Sequence, residues 1–201
     1  MFELLYLTKV DNKYMKKNFR KLQIGVIGPA TSEYTKNIKL RKKICDIAQK
    51  TGELLAEKGT IVFTGGADGI MEIVSKGAKK KNGITVGTPG RVRKSSNKYI
   101  DIEILTPIDT GDFLFAGILS SDAIITIPGG AGTMAELCLA YRYKKPIIII
   151  KGLNDYYDKL INNYLDESKL ILIEGAENAK DAVKKAIKLG RKNLHHTTSF
   201  S

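Results

Sequence analysis

The stretch ITIPGGAGTMAELCLAYRYKKPIIII, residues 125–150, decides the fold because it holds a complete strand–turn–helix–strand unit. An apolar run ends in a glycine-rich turn, a segment with helical spacing follows, and a second apolar run, PIIII, closes the unit. Strands that are apolar on both faces are typical of parallel sheets buried between helices. The stretch therefore predicts one crossover of an α/β sheet, with Thr133 and Glu136 near the start of its helix.

The same alternation of apolar runs and helical segments extends over most of the chain. It predicts one α/β domain over residues 21–189, with a doubly wound, mostly parallel sheet and helices on both faces. Residues 1–20 are expected to form an N-terminal extension, and residues 190–201 a disordered polar tail. The predicted strands are 22–28, 60–64, 84–88, 100–105, 123–127, 146–150 and 170–173. The predicted helices are 37–58, 69–81, 112–120, 133–143, 155–166 and 178–189.

The composition is that of an ordinary soluble protein. Of the 201 residues, 43% are hydrophobic and 27% are charged, which is enough apolar material for a core. No apolar run approaches the roughly 20 residues that span a bilayer, and the first residues do not resemble a secretion signal. We therefore expect a cytoplasmic protein without membrane contact. Cys45 and Cys138 lack CxxC spacing and are expected to be buried thiols.

The formal net charge of +12 raises the question of nucleic-acid binding. Only six of the 33 basic residues are arginine, the side chain best suited to base and phosphate recognition, and the lysines are spread along the chain. We therefore do not expect nucleic acid as a partner. A charge of this size still attracts small anionic molecules.

Glycine-bearing turns follow three of the predicted strands, and each turn leads into a helix. Because the carboxyl ends of parallel strands lie along one edge of a sheet, these turns are expected to converge there. Free amides at the start of a helix bind anions, and glycine lets a ligand approach the backbone closely. The candidate ligand- and phosphate-binding residues are Gly28, Pro29, Ala30, Gly65, Gly66, Gly69, Pro128, Gly129, Gly130, Ala131, Gly132 and Thr133. The patterns GxxxxGK[ST] and GxGxxG are absent from these turns.

The position of the histidines excludes some kinds of catalytic and metal site. The only histidines, His195 and His196, lie near the end of the chain, so we expect neither histidine-based catalysis nor a metal site. Thr133 and Glu136 have the spacing of a capping box, in which both side chains bond the first helical amides. Glu136 is thus either a helix cap or a catalytic acid, and both interpretations stay open.

Three motifs resemble one protein family. PGGAGTMAE (128–136) is similar to the PGGxGTxxE signature of LOG-like proteins. These belong to the SLOG superfamily, which includes molybdenum-cofactor carrier proteins and relatives of DNA-processing protein A. TGGADGIMEIVSKGA (64–78) and GVIGPAT (25–31) resemble two further family motifs. The resemblance spans residues 24–187. It implies a Rossmann-like fold, a homodimer, and a nucleotide or other phosphorylated ligand at the glycine turns, with no required cofactor.

The resemblance also implies candidate activities. LOG enzymes hydrolyse the N-glycosidic bond of a nucleoside 5′-monophosphate, and Glu136 matches their acid. They carry an Arg-Lys pair in the helix before the strand that begins with the residues SDA, which are residues 121–123 here. The corresponding residues 111–120 contain no basic residue. Arg91, Arg93 and Lys94 either replace that pair or are solvated loop charges.

The first hypothesis is therefore a binding protein, carrier- or sensor-like, closest to the branch of the molybdenum-cofactor carriers and the relatives of DNA-processing protein A. A phosphoribohydrolase is the alternative, and a nucleic-acid-binding protein is the third hypothesis. Lysine decarboxylation is not expected, because nothing in the sequence marks a lysine site for pyridoxal phosphate.

Overall fold

The computed structural model describes residues 20–106 and 113–196. Its strands are β1 (Gln23–Ile27), β2 (Ile61–Thr64), β3 (Ile84–Gly90), β4 (Ile102–Leu105), β5 (Ala123–Thr126), β6 (Ile147–Ile150) and β7 (Glu174–Ala176). Its helices are α1 (Ile38–Glu57), α2 (Ile70–Lys79), α3 (Phe113–Ser120), α4 (Ala131–Arg142), α5 (Asp155–Asp158) and α6 (Ala179–His196), with a 3₁₀ turn at Thr31–Glu33. None of these helices is long and apolar enough to cross a membrane.

The strands form one parallel sheet in the order β4-β3-β2-β1-β5-β6-β7. Among the described residues, the first strand, β1, lies in the middle of the sheet. The next strands add toward one edge, and the chain then returns to the other side of β1. The strand order therefore reverses between β1 and β5, which is the position where open α/β sheets bind ligands. The predicted doubly wound α/β fold is confirmed.

The run of isoleucines in β6 explains why a parallel sheet needs helices on both faces. Ile148 and Ile150 belong to the core cluster under α1, α2 and α6, whereas Ile147 and Ile149 belong to the cluster under α3 and α4. All four side chains are fully buried. Burial of one such side chain stabilises the fold by roughly 1.5–3 kcal/mol, so the strand contributes equally to two cores.

Helices α1 and α2 approach each other through two glycines. A Cβ added at Gly52 would lie 2.0 Å from the Val74 carbonyl oxygen, and one added at Gly77 would lie 2.2 Å from the Gln49 carbonyl oxygen. Neither distance leaves room for a methyl group. The contact between these helices is therefore made backbone to backbone.

Two predictions for the segment after β6, a helix and a strand, are wrong. The predicted helix 155–166 is helical only in α5, because the amide of Asn162 donates to the Ile173 carbonyl oxygen at 2.8 Å, outside any helical ladder, and its φ is 61°. The predicted strand 170–173 is not a strand, since the Ile173 amide donates to the Asn163 carbonyl oxygen. The residues that pair with β6 are those of β7, which begins at Glu174.

The C-terminal helix is longer than predicted. Instead of ending at residue 189, α6 continues to His196, so residues 190–196 of the predicted tail are helical. A Cβ added at Gly190 would lie 3.3 Å from the Asp122 Cβ, and the Asn193 amide group donates to the Asp122 carbonyl oxygen at 3.3 Å. These contacts with the start of β5 hold the extra turns. Residues 197–201 and the first 19 residues of the predicted extension lie outside the described residues.

The two cysteines differ in exposure. Both are free thiols, but Cys45 is half-buried and Cys138 is exposed. The prediction of a buried thiol is therefore wrong for Cys138. Cys138 directly follows the buried pair Glu136 and Leu137 in α4, but its own side chain is exposed.

Replacing Gly77 by alanine should destabilise the protein by about 1–3 kcal/mol or more, because the new methyl group overlaps the Gln49 backbone. Chemical denaturation measures the free energy of unfolding. Gly132→Ala is the matched control, since an added Cβ there would meet only the flexible Glu33 carboxylate, at 3.5 and 4.0 Å. Equal stability of both variants would contradict the backbone contact between α1 and α2.

Candidate functional site

The three glycine turns that the sequence singles out come together at the carboxyl edge of the sheet. They follow β1, β2 and β5, which are neighbours in the sheet. The Ile70 amide donates to the Pro29 carbonyl oxygen at 3.0 Å, so the second turn is bonded to the first. A Cβ added at Gly129 would lie 2.9 Å from the Pro29 nitrogen, so the third turn touches the first from the other side.

Several of these glycines are required by backbone packing. Gly69 has a φ of 66°, and an added Cβ would lie 2.5 Å from the Pro29 carbonyl oxygen. Gly66 has a φ of 80°, and an added Cβ would lie 2.9 Å from the Gly87 Cα. Both the left-handed backbone and the close approach favour glycine at these two positions. Contacts between turns therefore account for them without any ligand.

The start of α4 is the part of this edge that offers free donors. The helix begins at Ala131 with Gly130 as its N-cap residue, and no side chain caps it. Its first backbone hydrogen bond runs from the Met134 amide to the Gly130 carbonyl oxygen at 3.1 Å. The capping-box interpretation of Thr133 and Glu136 is therefore wrong. The amides of residues 131–133 precede the helical ladder and carry the positive end of the helix dipole.

The hydroxyl of Thr133 has no hydrogen-bond partner among the described residues, although the side chain is only 1% exposed. It lies beside the glycine turn, 2.4 Å from the position of an added Cβ at Gly129. A buried hydroxyl without a partner costs about 1–3 kcal/mol. An unpaired donor and acceptor thus stands next to the free amides of α4.

Glu136 is a buried carboxyl group on the first turns of α4, with 8% of its surface exposed. Burial and, to a smaller extent, the nearby carboxylate of Glu33 together raise its pKa to about 8. The side chain is therefore mostly protonated at neutral pH. It lines a cavity of about 10 Å³ with Thr64, Gly65 and Thr88, which is close to the room that one water molecule needs.

Tyr157 supports the same turn from the segment after β6. Its hydroxyl donates to the Gly130 carbonyl oxygen at 3.3 Å, and burial raises its pKa to about 12. Sequence reasoning missed this residue and also Glu33. Both follow the carboxyl end of a strand, at the edge where the glycine turns were expected, and that position was the available signal.

Two open cavities flank the turn formed by Gly129 and Gly130. One has a volume of about 190 Å³, and the other, on the side of Tyr156 and Tyr157, has about 240 Å³. Both are also lined by Asn154, so they form two sides of one groove. Small-molecule sites commonly occupy about 300–1,000 Å³, and the groove as a whole is of that order. The lining of the first cavity is Pro29, Glu33, Tyr34, Thr35, Leu40, Arg41, Ile44, Pro128, Gly129, Gly130, Leu153 and Asn154.

The basic candidates lie elsewhere. Arg91, Arg93 and Lys94 are exposed on the segment after β3, and none of them lines these three cavities. The Lys94 amide donates to the Glu103 carboxylate at 3.0 Å, which fastens the segment to β4. Within residues 20–106 and 113–196, no group of three or more histidine, cysteine, aspartate or glutamate side chains is arranged to hold a metal ion.

A protein-family model described as the SLOG cluster4 family matches residues 21–185. The chain belongs to this family. The resemblance that PGGAGTMAE suggested is thereby confirmed at the level of the superfamily. The glycine turns of this SLOG protein lie within the matched residues.

Individual relatives agree with this assignment. The SLOG protein is 35% identical over 138 residues to an uncharacterised protein of Archaeoglobus fulgidus, covering 66% of this chain and 85% of the relative. It is 26% identical over 156 residues to a cytokinin riboside 5′-monophosphate phosphoribohydrolase of Arabidopsis thaliana. This match covers 70% of this chain and 67% of the enzyme. The solved structure of a molybdenum cofactor carrier protein of Chlamydomonas reinhardtii is also similar, with a TM-score of 0.70 and 28% identity. The match covers 85% of this chain and 98% of the carrier protein.

The raised pKa of Glu136 predicts how stability depends on pH. The folded protein holds this proton more tightly than the unfolded chain, whose carboxyl has a pKa near 4.5. The stabilising contribution is complete below about pH 4.5 and is lost as the pH rises to about 8. The free energy of unfolding should therefore fall by a few kcal/mol across that range, on the order of 1.4 kcal/mol per pH unit at most.

Glu136→Gln should flatten this decline, because the amide stays neutral. Urea unfolding of both proteins between pH 5 and 9 measures the difference, and Glu167→Gln is the control, since Glu167 is exposed. Parallel pH profiles for the wild type and Glu136→Gln would contradict a protonated Glu136.

Thr133→Val should separate folding from ligand binding in this SLOG protein. Valine keeps the shape and removes the unpaired hydroxyl, so stability should stay equal or rise by about 1 kcal/mol. Under the hypothesis that the start of α4 binds phosphate, the affinity for inorganic phosphate should fall up to tenfold, measured by calorimetry. Thr126→Val is the control, because its hydroxyl is also buried without a partner but belongs to β5. A loss of stability without a loss of affinity would show that the hydroxyl serves the fold alone.

Proposed function

We propose that this SLOG protein is a carrier-like binding protein whose ligand bears a phosphate group held at the start of α4. The observation that carries the proposal is the buried, unpaired hydroxyl of Thr133 beside the free amides of residues 131–133. A phosphate oxygen accepts hydrogen bonds from amides and from a hydroxyl, and the helix dipole favours its negative charge. The same position satisfies a group that is costly to leave unpaired.

The rest of the ligand has room in the groove on either side of Gly129 and Gly130. Tyr156 is 75% exposed beside it and presents an aromatic side chain for a planar ring. Two ligand classes are suggested by the relatives. One is the molybdenum cofactor named for the Chlamydomonas reinhardtii protein, and the other is the nucleoside 5′-monophosphate named for the Arabidopsis thaliana enzyme.

Hydrolysis of an N-glycosidic bond is the second candidate function, and Glu136 is the observation that favours it. A carboxyl group with a pKa of about 8 is suited to donate a proton, as the acid of glycoside hydrolysis does. Such a reaction also needs a cation near the developing charge. The sequence of α3, FLFAGILS, supplies none, and Arg41 lines the groove but not the cavity that Glu136 lines. For that reason we favour binding without turnover.

Calorimetry and product analysis with one set of ligands distinguish the two functions. The protein is titrated with inorganic phosphate, pyrophosphate and AMP, and the AMP samples are then assayed for ribose 5-phosphate. We expect binding without product. Release of ribose 5-phosphate that disappears in Glu136→Ala would instead support the hydrolase. Absence of binding to all three compounds would contradict the phosphate site.

The assembly and the location stay proposals that follow from the family. We propose a homodimer, and exposed apolar side chains at the α3–α4 face, Leu119 and Tyr143, offer a surface for it. The Lys-rich surface is not proposed as a nucleic-acid site, because arginine is scarce. A cytoplasmic location also stays a prediction.

A further inference from the structure

We propose that Glu33 selects the ligand of this SLOG protein by competing with it, because the Glu33 carboxylate covers the start of α4 and a phosphate must displace it. The inference rests on the proposed function and adds a residue that neither the sequence motifs nor the relatives point to. It makes Glu33 a specificity-determining residue, one that admits anions of high charge in preference to weak ones.

The position of the carboxylate is the first observation. Glu33 ends the 3₁₀ turn after β1, and its Oε1 atom lies 2.9 Å from an added Cβ at Gly130 and 3.5 Å from one at Gly132. These two glycines border the free amides of α4. A carboxylate near the start of a helix is attracted by the dipole, as a phosphate would be. The side chain of Glu33 makes no hydrogen bond or ion pair with any residue in the described ranges.

The Thr133 hydroxyl is the second observation. It stays unpaired in the presence of Glu33, so the carboxylate covers the donors without satisfying all of them. A phosphate has more acceptor oxygens than a carboxylate and more negative charge, so it can contact the amides and the hydroxyl together. The Glu33 carboxylate therefore covers the site as a weakly bound internal anion, and a phosphate ligand can make more contacts there.

The charges around the turn agree with competition. The Glu33 carboxylate repels an incoming anion and also raises the pKa of Glu136, whose carboxyl group is mostly protonated at neutral pH. Arg41 lines the 190 Å³ cavity together with Glu33. A displaced Glu33 side chain therefore moves into a cavity that contains a cation, which lowers the cost of its displacement.

Glu33→Gln tests the proposal, because it keeps the shape of the side chain and removes its charge. Calorimetry with inorganic phosphate and with AMP at low salt should show about tenfold tighter binding than the wild type, a gain that shrinks as salt is added. Without ligand, the variant should lose the attraction to the helix dipole and melt about 1–3 °C lower. Opposite changes in affinity and stability are the signature of an internal competitor.

Glu167→Gln is the matched control, since it removes the same charge from an exposed position outside the groove lining and should change neither quantity. Unchanged or weaker binding by Glu33→Gln would overturn the role of Glu33 and leave the proposed function intact. No binding of phosphate or AMP by either the wild type or the variant would overturn both. Circular dichroism confirms that the variants are folded.

Discussion

The rest of the site depends on the backbone contact that holds the turn after β1 between its two neighbours. Gly69 lies against Pro29 on one side and Gly129 lies against it on the other, at distances that exclude a side chain. The Ile70 amide adds a hydrogen bond to the Pro29 carbonyl oxygen. Because β1 is the central strand of the sheet, this contact fixes where α2 and α4 begin relative to each other.

The electrostatics of the site follow from this arrangement. With no side chain between the turns, the start of α4 comes close to the 3₁₀ turn that carries Glu33. Burial of Glu136 behind them keeps its carboxyl group protonated at neutral pH. The edge therefore combines free amides, an unpaired hydroxyl and two acidic side chains, of which one is neutral. This combination is the basis of the proposed anion site and of the proposed competition by Glu33.

Local patterns predicted the architecture well where neighbours in sequence decide it. Apolar runs such as PIIII and the glycine turns placed most of the sheet and the convergence of the turns, because a strand buried on two faces has a characteristic composition. For the segment after β6, the same patterns gave wrong predictions. Its helical pattern ends at Asp158 because Asn162 bonds to Ile173, and its apolar run LILI lies before β7 rather than in it. Both outcomes depend on distant hydrogen bonds.

The sequence by itself determined the parallel α/β class, the edge of the sheet where the glycine turns converge, and the signature PGGAGTMAE that marks the family. Composition and spacing suffice for these, because they reflect local backbone needs and burial. Only the tertiary structure decided what each residue does at that edge. It assigned Gly66 and Gly69 to backbone packing, removed the capping role of Thr133 and Glu136, and brought Glu33 to the start of α4. Those roles depend on contacts between turns far apart in sequence, which local sequence patterns do not predict.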